Sequence, residues 1–231
     1  MGPAKCELAR QRILTIDAAS AHCSVGLVVG GEVIAEQHAE GLRIHAELAA
    51  MANGVLQACD PGLDLVAVTT GPGSFTGLRA ALALAQGLAL GAAIPAIGVS
   101  IAEALAESLV DAPPDTTRRS IWVAIDSRRD RIFLHRDGAI SAVALAALPA
   151  PIGPVAVAGD AAVAVAAALA AQGYDVLLTE ARFPVPKYIA AVGGRRAACL
   201  LPPFNLVPLY VDPPEARQTW LRAPPGAKLA E

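Results

Sequence analysis

Leu63 to Leu90 reads LDLVAVTT-GPGSFTGLR-AALALAQGLAL, and this stretch decides the fold. Leu63 to Thr70 is an apolar run of strand length. Gly71 to Gly77 is a glycine-rich turn. From Leu78 the leucines and alanines repeat at helical spacing as far as Leu90. Strand, turn and helix in direct succession make the corner of an α/β fold. Such a corner points backbone N–H groups at one place, and the helix dipole adds partial positive charge there. It reads either as an anion site or as a tight structural turn. It is no Walker loop, because no Gly-Lys-Ser/Thr follows and no lysine lies nearby. Ser74 or Thr76 supplies the helix N-cap. Arg79 falls in the first helical turn, against the dipole preference, and calls for an anion or a carboxylate across an interface.

Upstream, Ile13 to Asp17 and Cys23 to Val29 read as strands. Gly30-Gly31 turns the second into a third, Glu32 to His38. A helix is predicted over 43–59, with Ile44, Leu48, Met51, Val55 and Leu56 near one stripe. Downstream come a strand at Ala96 to Val99 and a helix from Ser100 to about Val110. The order β-β-β-α-β-α-β-α predicts a mixed sheet with packed helices. The polar, proline-bearing run Ala112 to Thr117 divides the chain into lobes of 1–112 and 113–231. The second lobe opens in the same style, with strands at 120–126 and 131–136, a third after Gly138, and a fourth at 155–158. A helix to Gln172, a strand at 176–178 and a helix over 186–200 follow. The proline-rich tail from Phe204 is irregular apart from a strand-like 206–211. The similar openings suggest internal duplication.

Composition narrows the function. The 231 residues are 55% hydrophobic and 4% aromatic, with net charge −3. Alanine dominates, which favours close helix packing. There is no dense basic stripe, so primary nucleic-acid binding is not favoured. The pairs Arg118-Arg119, Arg128-Arg129 and Arg195-Arg196 read as solvated surface. Cys6, Cys23, Cys59 and Cys199 form no CxxC motif, which points to reduced, inert thiols in the cytoplasm. No apolar leader begins the chain, so no secretory signal is expected. The uncharged stretch from Ala80 to Ala102 is broken by Gln86, Gly91 and Pro95, which favours a soluble helix and strand over a membrane span.

Several motifs together resemble the bacterial TsaB family, formerly YeaZ, of the acetate kinase–actin–hexokinase superfamily. They are Ile13 to Asp17 with Cys23 to Leu27, His45-Ala46-Glu47, Gly71 to Arg79, Gln86 to Ala89 and Pro95 to Ser100. In the second half they are Ala124 to Arg128, Ala158 to Asp160, and Pro208 to Val211 with Pro213 to Arg217. The resemblance implies a two-lobed actin/hexokinase-like α/β fold, each lobe a mixed sheet with packed helices. It also implies a role in making threonylcarbamoyladenosine beside the tRNA anticodon, where a TsaD transferase acts with TsaB and a small ATPase, TsaE.

The residues separate enzyme from partner. TsaD-like enzymes bind metal through two histidines at i and i+4 of a helix. The matching positions here are Ile101 and Leu105, which cannot ligate a metal. His22, His38, His45 and His135 include no pair at helical spacing, and His45 reads as structural or as a contact residue. Asp17 ends a strand where the superfamily places an aspartate near metal and phosphate. Its loop Ala18 to His22 has no glycine to let backbone approach a phosphate. Asp17, Ser74 and Thr76 are therefore read as at most a vestigial nucleotide or anion site, with no catalytic or metal residue, and Asp17 is better read as capping its loop by hydrogen bonds. The family's helix pair implies a partner surface on helices 43–59 and 76–91. Its candidates are His45, Leu48, Met51, Val55, Leu78, Arg79, Leu82 and Gln86. Helix 76–91 is apolar nearly all round, so burial on every side is expected. A charge at Met51 or Leu82 is expected to abolish binding and leave the fold intact. The expected partners are a TsaD-like transferase, a TsaE-like ATPase, a second copy of the chain when alone, and tRNA only indirectly. No cofactor is expected beyond ATP or ADP at the interface. The alternative is a free-standing small-molecule kinase or ATPase of the superfamily.

Overall fold

The computed structural model describes residues 11–41, 46–57, 62–127 and 130–211. In the first lobe, β1 (Arg12–Asp17), β2 (His22–Val29) and β3 (Glu32–Glu40) are followed by α1 (Leu48–Leu56) and β4 (Leu65–Thr69). Then come α2 (Phe75–Ala92), β5 (Ala96–Val99) and α3 (Ile101–Ser108). The sheet order is β3-β2-β1-β4-β5. β2 is antiparallel to β1 and β3, while β1, β4 and β5 run parallel. Every residue of β4 is buried, which is why its sequence is continuously apolar up to Thr69. β3 lies at the edge, mostly polar and half exposed, a composition that discourages edge pairing. Gly30 and Gly31 both take positive φ, 60° and 90°, at the β2–β3 turn.

The second lobe contains β6 (Ser120–Asp126), β7 (Ile132–Arg136), β8 (Ala139–Val143) and β9 (Val155–Ala158). A short helix α4 (Pro114–Thr117) leads into it. α5 (Ala162–Ala171), β10 (Val176–Leu178) and α6 (Pro186–Ala197) complete it in sequence. The second sheet, read as β8-β7-β6-β9-β10, repeats the order and the strand directions of the first. The duplication suggested by the two openings is therefore present in topology. Only a 3-10 turn, Leu145–Ala147, stands where the first lobe has α1.

Two elements depart from the sequence reading. α6 follows the second sheet in the chain but packs on the first, against β1, β2, β4 and β5. Ile189, Ala190 and Val192 share a core with Ile13, Val28 and Ala67. Gly193 permits the close approach, since a Cβ there would lie 2.7 Å from that of Ala67. The division at 112/113 thus places in the second lobe a helix that belongs physically to the first. The tail is no strand at 206–211. It lies along the first lobe, with Leu206 on the core and the Leu209 N–H donating to Thr70 O at 2.7 Å.

Arg196 explains much of this anchoring. The sequence reading made it solvated surface, yet it is 7% exposed. Its guanidinium donates to Gly98 O at 2.6 Å, Pro202 O at 2.8 Å and Glu103 Oε1 at 2.5 Å. Glu103 also closes the capping box with Ser100 at the start of α3. Arg195 forks onto Glu107 of α3, and Arg119 pairs with Asp115 and Asp175. Arg128 and Arg129 lie outside the described residues.

Candidate functional site

The glycine turn and Asp17 meet where β1 and β4 end. Asp17 is fully buried. Its Oδ1 accepts from the Thr69 hydroxyl at 2.5 Å and from the Ala19 N–H at 3.2 Å, while Oδ2 has no partner among the described residues. Burial pushes this carboxyl up to about 6, against the two hydrogen bonds, and the Asp160 carboxylate adds to the rise. Gly71 to Gly77 does not cradle a ligand, because the Ala18–Ala19 backbone fills it. A Cβ on Gly73 would lie 2.1 Å from Ala19 O, and one on Gly77 would lie 1.9 Å from Ala18 O. The Ser74 N–H is spent on Ala19 O, and the Gly77 N–H on the Ser74 hydroxyl oxygen, at 3.3 Å. Ser74 is thus the N-cap of α2, and Thr76 sits exposed within the helix. A phosphate and its metal do not fit this packing.

Across the lobe junction, Asp160 Oδ1 accepts from the Asp126 N–H at 2.9 Å. Burial raises its pKa, and the Asp126 carboxylate adds to the effect. Ile101 and Leu105 are buried against Ala19, Val123 and Ala158 at the junction. Among the described residues, no group of three His, Cys, Asp or Glu side chains could hold a metal. Cys23 is buried, which pushes its thiol up to about 12 and keeps it protonated.

The nominated partner residues separate into two sets. Leu48, Met51, Val55, Leu78 and Leu82 are buried, four of them in the first-lobe core and Leu78 at the junction. A charge at Met51 or Leu82 would therefore unfold the lobe rather than probe a surface. Arg79 and Gln86 are exposed, and His45 lies outside the described residues. α2 is not buried all round either. By length and composition it could cross a membrane, but Leu78, Ala81, Leu82, Ala85 and Ala89 face the protein. The opposite face presents Thr76, Arg79, Ala83, Gln86, Gly87 and Leu90, the last 84% exposed. α1 packs beside it and exposes Ala49, Ala50 and Asn53.

The sequence reading missed the contact at the head of this face. Arg79 lies over the Phe75 ring, 3.8 Å from its centroid, and its Nε donates to the Tyr210 hydroxyl oxygen at 3.1 Å. The Phe75 and Tyr210 rings stack at 5.7 Å. The aromatics were visible in the sequence, but no local signal joins residues 131 positions apart. A cleft of about 730 Å³ lies elsewhere, between the β2–β3 strands and the two connections that cross the lobes. His22 stacks on Phe183 there at 4.9 Å and faces His38 at 5.2 Å. Burial, then His38, lowers the His22 pKa. None of Asp17, Ser74 and Thr76 lines that cleft.

Duplicated 3-2-1-4-5 sheets joined at an aspartate-bearing junction define a two-lobed α/β protein with an actin-like fold. The family model for TsaD, tRNA N6-adenosine threonylcarbamoyltransferase, matches residues 19–143, over half of the chain, and the chain belongs to this family. Among solved structures it is similar to YeaZ from Pseudomonas aeruginosa, at 21% identity and TM-score 0.69 over 87% of this chain and 99% of that one. A second structure, described as an uncharacterized protein with similarity to peptidase YEAZ from Pseudomonas aeruginosa, matches at 22% identity and TM-score 0.69. It spans 87% of this chain and 100% of that one. These likenesses show that the chain shares the fold of YeaZ. No curated protein gives a match.

Proposed function

We propose that this chain is a non-catalytic partner that binds and activates a TsaD-like transferase making N6-threonylcarbamoyladenosine beside the tRNA anticodon. One observation carries the reading: the positions matching the enzyme's paired metal histidines hold Ile101 and Leu105, both buried. The filled glycine turn supports it, since a superfamily phosphate has no backbone cradle there. The exposed face of α2, with the neighbouring face of α1, is the docking surface. Its small side chains let another helix pair approach closely, and the same face pairs two copies when the partner is absent. A TsaE-like ATPase joins the assembly, tRNA is reached only through the transferase, and any ATP or ADP is held at the interface. The work is cytoplasmic and involves no membrane.

Depletion of this chain in its host tests the reading. Threonylcarbamoyladenosine should disappear from tRNA and return when the gene is restored, and the chain should co-purify with the transferase. Unchanged modification, or ATP turnover by the purified chain alone at an enzyme's rate, would sink it.

A further inference from the structure

The exposed face of α2 carries a single cation, and the fold spends its C-terminal segment on holding that cation still. After α6 the chain runs past Arg196, which grips Pro202 O and lies over the Phe204 ring. Leu206 then docks on the core, and the Leu209 N–H bonds Thr70 O. This strap delivers Tyr210 to the first turn of α2. Phe75 covers one face of the Arg79 guanidinium, and Tyr210 takes the Nε–H. Neither terminal nitrogen of Arg79 has a hydrogen-bond acceptor among the described residues. Phe75 is 50% and Tyr210 44% exposed, so two large rings stay partly in water to build the arrangement.

We propose that the C-terminal strap completes the partner-binding face, with Phe75 and Tyr210 presenting Arg79 as a two-pronged receptor for a carboxylate of the partner protein. This rests on the partner reading above. A guanidinium with its Nε already engaged offers its two terminal N–H groups in the planar fork that matches a carboxylate. Orientation by stacking and by Tyr210 removes the entropy cost that makes most exposed ion pairs weak. Arg, Tyr and Phe grouped on an otherwise uncharged face have the make-up of an interface hot spot. A nucleotide phosphate is the poorer occupant, because the Ser74 and Gly77 N–H groups at this helix end are already bonded within the chain. No lysine stands among the residues of α2 or the turn.

The test is calorimetric titration of the full-length chain against the purified TsaD-like transferase of the same genome, at low and high salt. Arg79→Ala should weaken binding about tenfold and flatten its salt dependence. Arg79→Lys should lose most of the same affinity, because it keeps the charge and loses the fork. Tyr210→Phe, which keeps the ring and removes the acceptor, should weaken binding severalfold at unchanged melting temperature. Ala83→Glu serves as the control for the face and should abolish binding. If Arg79→Ala and Tyr210→Phe bind like the parent while Ala83→Glu does not, the face stands and the receptor is wrong. If Ala83→Glu also binds normally, the partner reading itself falls. ADP or inorganic phosphate binding to the isolated chain, lost in Arg79→Ala, would overturn the carboxylate assignment.

Discussion

Asp17 holds a carboxyl that its surroundings disfavour as an anion. Its folded pKa of about 6 stands above the ordinary aspartate value of 3.8, so the native state binds the proton more tightly than the unfolded chain. The stabilising effect of protonation is complete below about pH 4 and is lost as pH rises through 6. The carboxylate then costs about 3 kcal/mol above that window. Asp17→Asn keeps an acceptor for Thr69 and Ala19 and removes the charge. It should raise the melting temperature at pH 8 and have little effect at pH 4, which thermal melts across pH would read directly. The glycines of the turn are equally explicit. Gly77→Ala drives a Cβ into Ala18 O and should cost about 3 kcal/mol in urea unfolding. Gly87→Ala meets nothing within 4 Å among the described residues and should add about 1 kcal/mol through helix propensity.

At the scale of elements, α2 serves two surfaces with one sequence. Leu78, Ala81, Leu82, Ala85 and Ala89 pack inward, while Arg79, Ala83, Gln86 and Leu90 remain outside. The helix is apolar on so many positions that periodicity alone could not choose the inner face. The turn chooses it: Ser74 caps the helix, and Gly73 and Gly77 fix its exit against Ala18 and Ala19. Mutational tests of the partner surface therefore belong on the outward set. Ala83→Glu should leave the melting temperature within about 1 °C and reduce transferase affinity by about a hundredfold or more, measured by pull-down and titration. Leu82→Glu should instead unfold the lobe, since Leu82 is buried in the first-lobe core.

At the scale of the molecule, the two lobes repeat one topology and are tied by exchange. α6, made after the second sheet, covers the first sheet, and α3, made by the first lobe, packs on β6 of the second. A fragment of residues 1–119 leaves β1, β2 and β4 without Ile189, Ala190 and Val192. It should lack a cooperative unfolding transition and expose apolar surface to a dye, whereas the full chain should melt as one unit. Apart from the tail strand read at 206–211, strand and helix positions, both sheets and the missing histidine pair were legible in the sequence, because local period, glycine punctuation and side-chain chemistry determine them. The docking of α6, the burial of Arg196, the filling of the glycine turn by Ala18 and Ala19, and the Arg79–Tyr210 contact were not. Each depends on residues far apart in the chain that only the packed core brings together. The sequence by itself determined which elements form and which chemistry is impossible. The tertiary structure decided which face of α2 stays open, because that depends on what the rest of the chain has already covered.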